Sequence, residues 1–280
     1  MEIELKTGKT SLAAPTIGQP NMILIILDAL NWTAWERAAP KNIPALLDSK
    51  AVKAHSFACC TLPSLIGYLS NYPPIGVGYG LFDKGIFVEA LDLIEGARHS
   101  PTRAWMPLYY KEKGYHTSIY SGNAVLAEAD QYMGISKHFD VWAVQRFLND
   151  KVLDATPDVI KRFEYLCMHE GQEQPLFSVL WLFDTHFPFS DGEKVLNPPF
   201  RSGMKTMNAC VKALEYTDEI VVPALIRALK STGRSSVVIV TSDHGENHGG
   251  EGAGHNPYTC KLRMTDELFS IPYIEGIVKP

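Results

Sequence analysis

The chain has 280 residues, of which 46% are hydrophobic and 20% charged, with a formal net charge of −5. This is ordinary globular composition, enough for one large α/β domain or two small ones, and the acidic balance without any Lys/Arg run argues against a nucleic-acid partner. The longest apolar runs, residues 22–27 and 176–183, are too short to cross a bilayer, so no membrane span is expected.

Taken in order, residues 1–20 are polar, contain Pro15 and Pro20, and read as a lead-in without an apolar signal core. Residues 21–27 (NMILIIL) form a buried strand that runs directly into Asp28. A carboxylate there is costly to bury unless it is paired or metal-bound, although a short acceptor capping the next turn is an equal reading. Residues 52–57 are a weaker strand leading to Cys59-Cys60-Thr61-Leu62-Pro63-Ser64-Leu65, with a helix from about 66 to 69. Pro63 suits a first helical turn, which places Thr61 at or near a helix N-terminus, where amides and dipole favour an anion. An isolated Thr-x-Pro, however, is more often only a cap. Residues 71–82 read as a loop, and residues 85–96 fit a helix or a strand. A helix over 102–113, with Pro107 as an irregularity, stops at Gly114. Short strands follow at 116–120, ahead of Ser121-Gly122-Asn123, and at 139–142. A helix covers 157–169. The buried strand 176–183 delivers Asp184-Thr185-His186. The longest helix, 208–230, has apolar residues at helical spacing, a kink expected at Pro223 and a stop at Gly233. The β-branched strand 237–241 breaks into Ser242-Asp243-His244-Gly245-Glu246, and a last strand spans 268–274.

Strands alternating with helices predict an α/β fold: a single doubly wound, mostly parallel sheet with helices on both faces. The expected division is a lead-in over 1–20 and a catalytic domain over 21–280. Five cysteines, odd in number and without CxxC spacing, predict a reducing compartment, a cytoplasmic location and no disulfide framework. Asp28, Thr61, His186, Asp243, His244 and His255 all follow strands or sit on Gly-rich loops. In a doubly wound sheet the strand carboxyl ends share one edge, so these groups can converge on one crevice. Asp243 and His244 alone read equally well as part of a solvated loop.

In that order the blocks resemble the alkaline-phosphatase superfamily in its sulfatase-like branch, nearest to the catalytic domains of phosphoethanolamine transferases and lipoteichoic-acid synthases. Residues 24–28 resemble the first strand with its acidic ligand. Thr61-Leu62-Pro63-Ser64-Leu65 aligns with the sulfatase block Cys-x-Pro-Ser-Arg. Residues 114–117 resemble the "GY-x-T" strand, and His138-Phe139-Asp140 the "GFD" element. Thr185-His186-Phe187-Pro188 resembles Ser-His-x-Pro, residues 211–229 the helix ahead of the metal motif, residues 242–246 the "SDHGE" block, Gly254-His255-Asn256-Pro257-Tyr258 the transferase "LHG-x-P-Y" element, and residues 271–274 the late "VP" strand.

The resemblance implies a divalent metal held by Asp28, Thr61, Asp243 and His244. His186 and His255 would contact the substrate phosphoryl group or help hold a second metal, with Asp184 as a further candidate. Asn123, Asp184 and His248 are candidate substrate contacts, and Glu246 and His248 also read as supporting or solvated groups. A sulfatase needs Cys or Ser where Thr61 stands and Arg where Leu65 stands, so phosphoryl transfer fits better than sulfate ester hydrolysis. The nitrogen of His244 favours zinc or manganese over calcium. The expected activity is hydrolysis or transfer of a phosphate ester, a diester by preference, through a phospho-threonine intermediate on Thr61. The expected partner is a small-molecule or lipid-headgroup-like phosphate ester. A sulfuric ester hydrolase and a non-catalytic metal- or ligand-binding member are the alternatives. Oligomeric state is not legible.

Overall fold

The computed structural model describes residues 18–56, 58–70, 105–123, 126–127, 130, 134–144, 152–198, 203–248 and 265–280. Seven strands make one sheet: β1 (Asn21–Leu27), β2 (Val52–His55), β3 (His116–Ser121), β4 (Val141–Val144), β5 (Leu176–Leu182), β6 (Ser236–Thr241) and β7 (Ser270–Val278). Their order is β2-β7-β6-β1-β5-β3-β4. β1 pairs in parallel with both β5 and β6, and β3 in parallel with β5 and β4. β7 alone runs antiparallel to its neighbours β6 and β2. The expected mostly parallel α/β sheet is therefore present.

Helices cover both faces. They are α1 (Trp32–Ala38), α2 (Asn42–Leu47), α3 (Thr61–Ser70), α4 (Met106–Glu112), α5 (Val152–His169), α6 (Met204–Tyr216), α7 (Val222–Lys230) and α8 (Asp266–Phe269). The central strands β1, β5 and β6 are largely apolar because both of their faces are covered. Period-2 alternation sorts their side chains into two cores. Ile23, Ile25, Leu27, Leu180, Leu182, Val238 and Val240 pack with α1, α2, α5, α6 and α7. Leu24, Ile26, Phe177, Val179, Trp181 and Ile119 pack with Leu65 and Leu69 of α3 and Met106 of α4.

Several expected elements shift. The helix after Cys60 runs from Thr61 to Ser70, with Thr61 at its N-terminus and Pro63 in its first turn, both as expected. Pro107 occupies the first turn of α4 and leaves its interior regular. The strand expected at 139–142 lies at Val141–Val144, because residues 135–138 close into a 3₁₀ turn and Asp140 turns back to accept from the Thr117 amide at 2.9 Å. The long helix is divided by a π segment, Thr217–Val221, directly before Pro223. The last strand begins later, after α8, and runs on to Val278. The region 71–96, where a loop and an unsettled element were expected, lies outside the described residues. Cys59 is disulfide-bonded to a partner outside the described residues, which corrects the expectation of no disulfide, while Cys60, Cys167 and Cys210 are free and buried.

Candidate active site

The register of the sheet builds the site. Ile26 pairs with Thr241 and Ser121 pairs with Trp181. Two further residues take β1 to Asp28, β6 to Asp243 and β3 to Asn123. All three keep the parity of the side chains that face α3, so they meet on that face at the carboxyl edge, and α3 begins there with Thr61. Asp184, two residues beyond β5, has the opposite parity and points to the α5 side.

The local backbone is shaped to hold this arrangement. Asp28 extends the ladder through its amide to the Leu182 carbonyl at 3.0 Å. Ala29 then turns left-handed (φ 59), a conformation that strains a residue with a Cβ. The turn aims its amide at Asp243 Oδ1 at 2.9 Å and the Leu30 amide at Ser242 Oγ at 3.0 Å. Ser242 Oγ in turn donates to the His244 carbonyl at 2.6 Å, and Tyr68 of α3 donates to the Ser242 carbonyl at 2.7 Å. Gly245 permits a close crossing: a Cβ there would lie 1.8 Å from the Glu267 carbonyl oxygen.

Asp28, Asp243 and His244 are fully buried. Among the described residues they are the one group of three metal-capable side chains whose ligand atoms lie within 4.8 Å of one another. Asp28 Oδ2 accepts from Trp181 Nε1 at 2.9 Å and from Asn123 Nδ2 at 2.5 Å, while its Oδ1 is buried with no hydrogen-bond partner. Burial, then the charge of Asp243, pushes the Asp28 carboxyl well above the usual carboxylate range. His244 Nδ1 lies 2.9 Å from the Gly245 carbonyl, so Nδ1 carries the proton and Nε2 presents its lone pair. That Nε2 lies 3.3 Å from Thr61 Oγ1 and 3.2 Å from Asp243 Oδ2. Two lone-pair atoms this close in a dry site repel unless a cation or proton lies between them. An orphaned carboxylate oxygen, two opposed carboxylates, an oriented imidazole nitrogen and a hydroxyl make a donor set that fits one divalent cation.

The remaining candidates fall elsewhere. Asn123, expected at the substrate, gives its amide to Asp28. Asp184, expected as a substrate or second-metal group, is buried and accepts from Thr156 of α5 and from Ser190. His186 is outside the ligand group; its ring stacks on Phe183 at 4.4 Å and its Nδ1 lies 2.5 Å from the Phe187 carbonyl. His248 is buried against Phe189. His255 lies outside the described residues. The sequence did not single out Trp181 as a site residue; its place one residue before the end of β5, on the parity of Asp28, is the signal for its second role.

No described helix is long and apolar enough to cross a membrane. No curated protein matches the sequence. Among solved structures, the C-terminal periplasmic domain of EcEptC from Escherichia coli, in complex with Zn, is similar at 17% identity and a TM-score of 0.63, over 96% of this chain and 77% of that one. The C-terminal periplasmic domain of the phosphoethanolamine transferase EptC from Campylobacter jejuni is similar at 15% identity and a TM-score of 0.56, over 95% and 80%. A putative sulfatase from Bacteroides thetaiotaomicron is similar at 13% identity and a TM-score of 0.61, over 93% and 64%. Two of these three are periplasmic domains, so the expected cytoplasmic location finds no support in them. At these identities the likeness is one of fold. The family model described as Sulfatase matches residues 20–274, nearly the whole chain. The chain therefore belongs to the sulfatase family, within the alkaline-phosphatase-like fold that its sheet and its carboxyl-edge cluster had indicated.

Proposed function

We propose that the chain is a metal-dependent hydrolase or transferase acting on a phosphate ester, by preference a diester, with Thr61 as nucleophile and residues 21–280 as its catalytic domain. One observation carries this reading: the first residue of α3 is a threonine, and its Oγ1 lies 3.3 Å from His244 Nε2 beside the buried carboxylates. A threonine cannot be oxidised to formylglycine as Cys or Ser can. The adjacent Cys60 is no substitute: it is buried, and that burial pushes its thiol up to about 12.

Asp28, Asp243, His244 and Thr61 would hold zinc or manganese, since the set mixes oxygen with nitrogen. When bound, the cation supplies Lewis-acid stabilisation of an alkoxide and of ester oxygens. Thr61 Oγ1 then forms a bond to phosphorus as the bond to the leaving oxygen breaks. The positive end of the α3 dipole favours the negative charge that gathers there. His186 or His255 gives the leaving oxygen its proton. Water or an acceptor alcohol attacks the phospho-threonine, and Thr61 is regenerated. Asn123 and Trp181 orient the Asp28 carboxylate, leaving Oδ1 toward the cation. The substrate class is a small-molecule or lipid-headgroup-like phosphate ester. The disulfide at Cys59 fits an oxidising compartment.

Sulfate ester hydrolysis is the second reading, favoured by the structural likeness to sulfatases. The test is turnover of a bis-nitrophenyl phosphate against a nitrophenyl sulfate, with zinc or manganese supplied. We expect turnover of the phosphate diester alone, falling about 10³-fold or more in Thr61→Ala. Turnover of the sulfate, or a fully active Thr61→Ala protein, would overturn the proposal. No turnover of either ester by a metal-loaded protein would leave a binding module.

A further inference from the structure

The site gathers groups from three parts of the chain: Asp28 just beyond β1, Asp243 and His244 just beyond β6, and Thr61 on α3. Ser242 joins all three. Its hydroxyl accepts from the Leu30 amide at 3.0 Å, which ties it to the turn after β1, and donates to the His244 carbonyl at 2.6 Å, which fixes its own loop. Its carbonyl accepts from the Tyr68 hydroxyl at 2.7 Å, which ties it to α3. Ser242 is fully buried, and hydrogen bonds shielded from water are the stronger for it.

Tyr68 lies seven residues after Thr61 on the same helix. Seven residues come within about 20° of two full helical turns, so the face that turns Thr61 toward His244 also turns Tyr68 toward Ser242. α3 therefore meets the 242–244 turn twice, at 3.3 Å from Thr61 Oγ1 to His244 Nε2 and at 2.7 Å through the Tyr68 hydroxyl. The two points are about 10 Å apart along its axis. Leu65 and Leu69, both fully buried, hold the helix against the core, but apolar contact is non-directional and sets no fine register along the axis. The Tyr68 hydrogen bond, which is directional, does.

We propose that Tyr68 is a positioning residue for Thr61: its hydroxyl, through the Ser242 carbonyl, sets α3 at the height that places Thr61 Oγ1 against His244 Nε2. Tyr68 acts through the helix and need touch no reacting atom. The proposal rests on the reading of Thr61 as nucleophile and cation donor, and it names the residue that holds that hydroxyl in place. Rate is steeply sensitive to such placement, since a shift of about 1 Å at a reacting group can cost about 10²-fold.

The test uses Tyr68→Phe, which removes the hydroxyl and keeps the packed ring, Thr61→Val, which removes the Thr61 hydroxyl at nearly constant shape, and the double variant. Zinc affinity of the full chain is read by competition with a chromogenic chelator, and turnover with bis-nitrophenyl phosphate. Each single variant should weaken zinc about tenfold, and the double variant no further, since displacing the Thr61 hydroxyl and removing it are the same loss. Tyr68→Phe should also lower kcat about tenfold with KM within about twofold, which a loss of stability alone would not do. If Tyr68→Phe keeps wild-type zinc affinity or wild-type kcat while Thr61→Val weakens zinc, the tether is overturned and the reading of the site stands. Losses that multiply in the double variant overturn it too, because they show two independent effects. In a wild type that binds zinc without turnover, the zinc cycle alone decides. A wild type that binds no zinc, or a Thr61→Val protein that binds it unchanged, overturns the reading of the site and the tether with it.

Discussion

Asp184 is a fully buried carboxyl that burial pushes up to about 6, partly offset by the hydrogen bonds from Thr156 and Ser190. The folded chain thus keeps a proton that the unfolded chain, with an aspartate pKa of about 3.9, has released. Stability therefore falls as pH rises from about 4 to about 6, by up to about 3 kcal/mol in all. Asp184→Asn should flatten that part of the profile, as read from urea midpoints at several pH values. An unchanged slope would mean that Asp184 is not the group responsible. The residue also marks a boundary of what the sequence could tell. Strand ends were legible from apolar runs, and so were Asp28, Asp243 and His244 as a converging set. The face each residue takes was not legible: β5 is buried on both sides, so only the register shows that Asp184 goes to the α5 face and Asn123, Asp28 and Asp243 to the α3 face. What no spacing reveals is that Asn123 and Trp181 share one oxygen of Asp28, because that depends on how three strands lie side by side.

At the scale of elements, the break between α6 and α7 shows a proline acting upstream of itself. Pro223 has no amide to donate, and its ring crowds the carbonyl one turn before. The helix answers by widening: the Val222 amide bonds the Thr217 carbonyl, five residues back. Pro223 pointed to a kink here but not to this form of it. The widened turn carries Asp218, whose carboxylate accepts from the amides of Lys41 at 2.9 Å, Asn42 at 3.1 Å and Ile43 at 2.7 Å. It caps α2, whose own N-cap residue, Lys41, has no side-chain cap. Asp218→Ala leaves those amides without an acceptor and should cost about 2–3 kcal/mol. Asp218→Asn, which keeps one acceptor oxygen, should cost about half as much. The measurement is chemical denaturation at neutral pH; equal losses in the two variants would show that packing of the π segment, not capping, dominates.

The whole molecule is organised on β1, the middle strand of the sheet, which has a parallel neighbour on each side and a buried core on each face. Its last residue leads into Asp28, and the neighbouring β6 leads into Asp243, so the site stands on the part of the sheet least free to move. Such a scaffold holds two carboxylates close together whether or not a cation is present, and without one their repulsion is stored in the fold. A cation bound only by the folded chain adds RT ln(1 + [L]/Kd), about 2.7 kcal/mol at 100-fold Kd. Chelation should therefore lower the unfolding temperature by about 5–10 °C. Asp243→Asn separates the two contributions. It keeps an acceptor for the Ala29 amide, removes one of the opposed charges, and gives up a ligand. Its midpoint should be less sensitive to chelator than that of the wild type and should lie between those of the metal-free and metal-loaded wild type. If chelator moves neither protein, no metal is linked to folding at these residues. If the variant falls below the metal-free wild type, the opposed carboxylates are not a source of strain, and the cation's contribution to the fold is correspondingly smaller.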